Sequence, residues 1–277
     1  MERFLDTSVA RPLLVASRPY KKFLKSSLGL KPCYTSKYVR MEISRSYLVN
    51  VISFYFMLHL PSIDSYDDAI RLWSNRYKTS ELKAVLHLVA ELAACHGLKS
   101  TTRDKAKFIE ILGSYIKRID IKNRRSFVDP SNDSTHCARA NIILKIDAAR
   151  PSAGMKDFYD QFIDVEKCRS QCRIGNTILE RHRSSVEAYV RYAETLPPNE
   201  ETRGFLKVCE NLKEILRRGA SALSCKTCEK IGDAVIALDA SRNMNLDHID
   251  RSFDLLCCLI GQSHVRHPSE SAVMTSV

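Results

Sequence analysis

The sequence predicts an α/β fold, and three observations carry that expectation. Short β-prone runs lie near both ends, at Phe4-Leu5, at Pro32-Cys33-Tyr34-Thr35-Ser36 and at Asn243 to Ile249. Helical patterns follow the first two of them, as in folds where strands alternate with crossover helices. Between Pro61 and about residue 220 the pattern is nearly all helical. With 277 residues and 44% hydrophobic content the chain can bury a real core, as one large domain or two modest ones.

The first run, Phe4-Leu5, leads directly into Asp6, Thr7 and Ser8. This reads as a short buried strand with an acid at its carboxyl end, the edge where open α/β sheets bind ligands. Arg11-Pro12 reads as a loop. A helix is expected from Arg18 to Ser27, opened by Pro19 and closed by Gly29. After the second strand Ser36 is a candidate N-cap for a helix from Lys37 to about His59, with Glu42 in its early turns. The apolar run Tyr47 to Leu60 is broken by Asn50, Ser53 and His59 and falls short of the roughly 20 residues that span a bilayer. It reads as a core helix.

Helices are then expected at Asp67–Arg76, at Glu81–His96 on the face of Leu82, Val85, Leu86 and Val89, and at Asp104–Arg118 on that of Phe108, Ile111, Leu112 and Tyr115. Residues 126–136 read as a polar loop, and Ala138 to Ile146 fits strand or helix. Further helices are expected near Met155–Glu166, Gly175–Leu196 and Thr202–Arg218. Past Gly219, Gly232-Asp233-Ala234-Val235 opens an apolar helix with an acid in its first turn. Asn243 to Ile249 is a weak strand ending at Asp250, and the tail from about Ser263 should fray.

Asp6, Glu42, Asp233 and Asp250, each in its local context, resemble the acidic pattern of the PIN-domain family of metal-dependent ribonucleases, which includes toxins of toxin–antitoxin pairs. That pattern has an Asp after the first strand, a Glu in an early helix, an Asp opening a later helix and an Asp after a strand. The separations, 36 residues from Asp6 to Glu42 and 17 from Asp233 to Asp250, also resemble the family's. The resemblance covers residues 1–60 and 220–262. It implies a three-layer α/β/α PIN-like core with a short parallel sheet, split as 1–60 and 221–262, with a large helical insertion at 61–220 and a flexible tail at 263–277. The gap between Glu42 and Asp233 exceeds that of the small toxins, and the last strand is polar for a buried parallel one. Asp247 and Asp254 are therefore rivals of Asp250.

The resemblance further implies a Mg²⁺- or Mn²⁺-dependent endoribonuclease with the four acids as catalytic metal ligands. Hard cations take carboxylate oxygens, activate water and offset phosphate charge. Without a cation, crowded carboxylates would repel and raise one another's pKa. An aspartyl-phosphate phosphatase is argued against, because it needs a second Asp where this chain has Ser8. The alternatives are a DNA nuclease with the same metal chemistry, and a non-catalytic nucleic-acid- or protein-binding module. An antitoxin-like protein partner and a homodimer are also compatible with the resemblance.

A net charge of +11 favours a polyanionic partner, RNA or DNA. Residues 99–125 hold nine Lys or Arg against three acids, which reads as a phosphate-tracking surface or a solvated helix face. Ten cysteines follow an N-terminus that begins Glu2-Arg3 rather than with an apolar leader, so a reducing cytoplasm is expected, without a membrane span. Cys225 and Cys228 have metal-ligand spacing; Cys168 with Cys172, and Cys137 beside His136, are further candidates for a structural Zn²⁺ site. Buried free thiols are the alternative there, and the expectation for Cys209, Cys257 and Cys258.

Overall fold

The computed structural model describes residues 1–29, 31–75, 79–128, 143–144, 163–164, 173–240 and 242–275. The protein is mixed α/β and mainly helical. Its chain forms two compact units. One comprises Met1–Met41, Arg125–Ala140 and Glu166–Val277; the other comprises Glu42–Arg124 and Asn141–Val165. The strands are β1 (Glu2–Leu5), β2 (Cys33–Tyr34), β3 (Ile143–Leu144), β4 (Ile163–Asp164), β5 (Met244–His248) and β6 (His264–Arg266).

The first unit holds a four-stranded, all-parallel sheet in the order β2-β1-β5-β6. The chain leaves β1 toward β2 on one side and leaves β5 toward β6 on the other. Strand order therefore reverses between β1 and β5, which opens a crevice at their carboxyl ends. Phe4 and Leu5 are completely buried, as apolar residues of a central parallel strand should be. The polar β5 is paid for on one face by a buried network: the Asp247 carboxylate meets Arg3 at 2.8 Å and accepts from His267 Nε2 at 2.7 Å.

Helix Thr7–Val15 starts at Asp6, whose carbonyl accepts from Val9 and Ala10, and runs through Pro12 where a loop was expected. The strong N-cap holds the helix in register before the proline removes one donor. Helix Arg18–Leu28 ends at Gly29, whose φ of +73° suits a residue without Cβ. Helices Ile174–Arg181, Arg183–Ala193 and Arg203–Arg218 belong to this sheet-bearing unit, although residues 61–220 read from sequence as a separate insertion. Phe205, Val208, Cys209, Leu212 and Ile215 form the buried stripe of the last, which packs on helix Ser252–Leu259.

In the second unit the expected Lys37–His59 helix is divided. Helix Lys37–Ile43, whose first five residues belong to the first unit, leads into a π-helical stretch, Ser44–Leu48, and then helix Val49–Met57. Ser46 and Asn50 side chains donate to the carbonyls of Glu42 and Ser46, each at 2.7 Å, within the widened turns. Helix Tyr66–Ser74 is opened by a Ser65–Asp68 capping box and buries Trp73 edge-on to Phe54. Helices Thr79–His96 and Thr102–Arg125 follow. The second buries Phe108, Leu112, Tyr115, Ile116 and Ile119, with Ile111 only half-buried. Its last residue, Arg125, belongs to the first unit.

Three further expectations are corrected. Residues 163–164 form β4, antiparallel to β3, where a helix was read; the rest of 155–166 lies outside the described residues. The tail does not simply fray: β6 joins the sheet, His267 N donates to His248 O at 2.7 Å, and helix Glu270–Met274 follows. Cys258 is exposed while Cys257 is buried, because consecutive helical residues point about 100° apart.

The Asp247 network yields a stability prediction. Asp247→Ala leaves Arg3 without its buried partner and should cost about 3–5 kcal/mol, measured as a lower urea midpoint of the cooperative transition.

Candidate active site

The crevice between β1 and β5 collects three of the four expected acids. Asp6 follows β1 directly, and its backbone N–H donates to Asp247 O at 3.0 Å, so the ends of the two central strands are clamped together. The Asp6 carboxylate caps its own helix, accepting from Ser8 N–H at 3.0 Å and from the Ser8 hydroxyl. The same hydroxyl accepts from Ile249 N–H at 3.0 Å. Ser8 thus ties the Asp6 side chain to the segment that carries Asp250.

Asp233 stands in the first turn of helix Gly232–Asp239, half-buried, and accepts from Ser252 Oγ at 2.5 Å. Ser252 opens the helix that follows β5, so each of these two carboxylates is held by a hydroxyl from the first turn of a helix at the crevice. Asp250 is the exposed member, two residues beyond β5.

The electrostatics show that the three acids share one environment. Burial pushes the Asp6 carboxyl up to about 7, against the pull of Ser8, with Asp233 and Asp250 adding repulsion. Burial also raises Asp233, opposed by Ser252 and reinforced by Asp250. Burial raises Asp250 too, and the Arg11 guanidinium opposes it. Such a set is short of positive charge, a condition that a proton or a bound cation relieves.

Glu42 is the first residue of the second unit, half-buried in helix Lys37–Ile43, whereas the aspartate set lies wholly within the first. Of the two rivals, Asp247 is held by Arg3 and His267 inside the sheet, and Asp254 faces Arg266, His248 and His264. Asp250 is the acid near β5 that interacts with Asp6 and Asp233. Cys137, Cys168, Cys172 and the side chain of Cys225 lie outside the described residues. Cys228 is buried, its Sγ 3.7 Å from the Tyr38 hydroxyl.

Sequence reasoning missed a second group, His248, Asp254 and His264. Burial pushes the His248 imidazole down to about 4, so it is neutral at physiological pH. The pattern was hidden because His264 was read as tail. Recognising β6 would have aligned it with Leu246, on the same sheet face as His248.

Comparison with protein-family models, with curated proteins and with solved structures finds no match to this chain.

The raised Asp6 carboxyl has a measurable consequence. Between about pH 4 and 7 the unfolded chain has released this proton while the folded state keeps it, so this contribution to stability falls as pH rises through that window. Asn preserves the cap but carries no charge. In chelator at pH 7.5, Asp6→Asn should therefore stabilise the protein by about 1–3 kcal/mol and flatten the pH profile between 4 and 7, read from thermal melts.

Proposed function

We propose that the sheet-bearing unit is a metal-dependent phosphodiesterase. More narrowly, we read it as a PIN-like endoribonuclease acting with Mg²⁺ or Mn²⁺. The observation that carries this reading is that Asp6, Asp233 and Asp250 lie within electrostatic reach of one another at the strand-order reversal of a parallel sheet. Oxygen-only donors, one buried, one half-buried and one exposed, suit a hard divalent cation that substrate can reach. When bound, that cation would lower the pKa of a water and offset charge on the phosphate.

The chain's own residues do the positioning. Ser8 holds one Asp6 oxygen and the backbone beyond β5; Ser252 holds Asp233. The carboxylates therefore need little reorganisation when charge develops between them. Asp250, at the exposed rim, would complete the site or orient the water. Glu42 is proposed as the fourth acid on the family resemblance alone.

Substrate is proposed to lie along basic residues. Arg103, Lys107, Lys117, Arg118 and Lys122 are exposed on helix Thr102–Arg125 of the second unit. Their charge favours binding to a phosphate backbone without sequence readout. The same observation favours a second reading, a non-catalytic RNA-binding module. The antitoxin-like partner and the homodimer stay proposals drawn from the resemblance, as does a DNA substrate.

Cleavage separates these readings, and a binding measurement tests the basic surface they share. Single-stranded RNA and DNA oligonucleotides incubated with the protein and Mn²⁺ should show cleavage of RNA. Asp6→Asn and Asp233→Asn should each lower that rate by about 100-fold or more with the circular-dichroism spectrum unchanged; undiminished metal-dependent cleavage in both variants rules the nuclease reading out. Reversing charge at Lys107, Lys117 and Lys122 should weaken single-stranded RNA binding and reduce its salt dependence by about 2 in the log–log slope, measured by fluorescence anisotropy.

A further inference from the structure

A cluster of ligand-type side chains, chemically unlike the aspartate set, lies at the far edge of the sheet. His248 ends β5, His264 begins β6, and Asp254 sits in the first turn of the helix joining them. The parallel register pairs Leu246 with His264 and His248 with Arg266, so both imidazoles stand on one face, one step apart along the strands. His248 Nε2 lies 3.0 Å from His264 Nδ1. Asp254 Oδ1 lies 3.6 Å from the first and 3.7 Å from the second. Among the described residues, this is the group of three such side chains whose donor atoms all lie within 4.8 Å of one another.

We propose that His248, His264 and Asp254 bind a four-coordinate divalent transition metal, Zn²⁺ in the first instance, with the fourth position open. The dimensions fit. Zinc bonds of about 2.0–2.1 Å in a tetrahedron put neighbouring donor atoms about 3.3 Å apart, and the three edges here bracket that length. The donor set also fits, because imidazole nitrogen selects Zn²⁺ over Mg²⁺, which prefers oxygen alone.

The outer contacts prepare each ligand. His248 Nδ1 lies 2.9 Å from the Asp250 carbonyl, which can only accept. Nδ1 therefore carries the ring proton, and the Nε2 lone pair points toward His264. Arg266 donates to Asp254 Oδ2 at 2.5 Å, which leaves Oδ1 turned to the imidazoles. A carbonyl behind the histidine and a partner on the far oxygen of the carboxylate are the usual supports of a metal ligand. Without metal, the His264 Nδ1 proton bridges the two rings. The ion takes the place of that proton, and His264 carries its hydrogen on Nε2 instead.

Access and openness follow from burial. His248 is fully buried, while His264 and Asp254 are 28% and 35% exposed in their side chains, so an ion enters from their side. Three protein ligands leave room for water or an anionic group at the fourth position, the pattern of reactive rather than purely structural zinc sites.

The test uses the full chain stripped with chelator and titrated with Co²⁺, whose visible absorption reports coordination. One equivalent should bind with the intense visible bands of a four-coordinate ion, and excess Mg²⁺ should not displace it. Zn²⁺ should displace it stoichiometrically. His264→Ala and the near-isosteric Asp254→Asn should each abolish the bands, while Cys225→Ser/Cys228→Ser should leave them intact. Absence of stoichiometric binding, displacement by Mg²⁺, a thiolate charge-transfer band lost with the cysteines, or bands that survive both ligand substitutions would each overturn the proposal. A folded circular-dichroism spectrum of Asp254→Asn keeps loss of fold separate from loss of a ligand. Ribonuclease activity is not part of the readout, so the outcome is independent of the nuclease reading.

Discussion

The pairing of β1 with β5 is the constraint on which the rest of the first unit depends. Residues 2–5 align with 244–247 in parallel register, closing a loop of about the whole chain. Backbone hydrogen bonds alone would contribute little net stability against that closure entropy. The side chains add to it. Phe4, Leu5 and Leu246 are fully buried, and Asp247 draws in Arg3 from one neighbouring strand and His267 from beyond the other. A buried carboxylate with two partners is costly to misplace, so it also selects the register.

The same pairing makes the site. Because β1 and β5 are adjacent, the residues just past their ends share one crevice, and Ser8 bridges them by binding both Asp6 and Ile249 N–H. Burial then raises the carboxyls of all three aspartates, repulsion adds to the rise at Asp6 and Asp233, and neither hydroxyl fully offsets it. Folding stability is spent on charge placed where a cation or proton can use it. The histidine group follows from the next pairing, β5 with β6, one strand further out.

Much of the secondary structure was legible because it rests on local rules. The stripe of Arg203–Arg218 follows from its spacing, the stop at Gly29 from its backbone freedom, and the first-turn position of Asp233 from the glycine before it. Where the reading failed, a nonlocal force had overridden a local one. Pro12 sits inside a helix because Asp6 caps it firmly. The polar β5 is central because its acid has partners from two other segments. The tail is ordered because β5 offers it a free edge. The π-helical stretch at Ser44–Leu48 and the outward-facing Cys258 carry no distinct mark in a pattern of hydrophobicity.

By itself, the amino-acid sequence determined an α/β chain with strand-forming ends, a helical middle, excess positive charge and acids at the boundaries of predicted elements. These properties depend on neighbours three or four residues away, so they can be read without coordinates. Only the tertiary structure decided which acids meet, since Asp6 and Asp233 are brought together by strand order and not by spacing. It alone decided that Asp247 is held by Arg3 and His267 while Asp250 interacts with Asp6 and Asp233. It also drew His248, Asp254 and His264 to one point, because the proximity of side chains from different elements is a property of register and packing that no local pattern encodes.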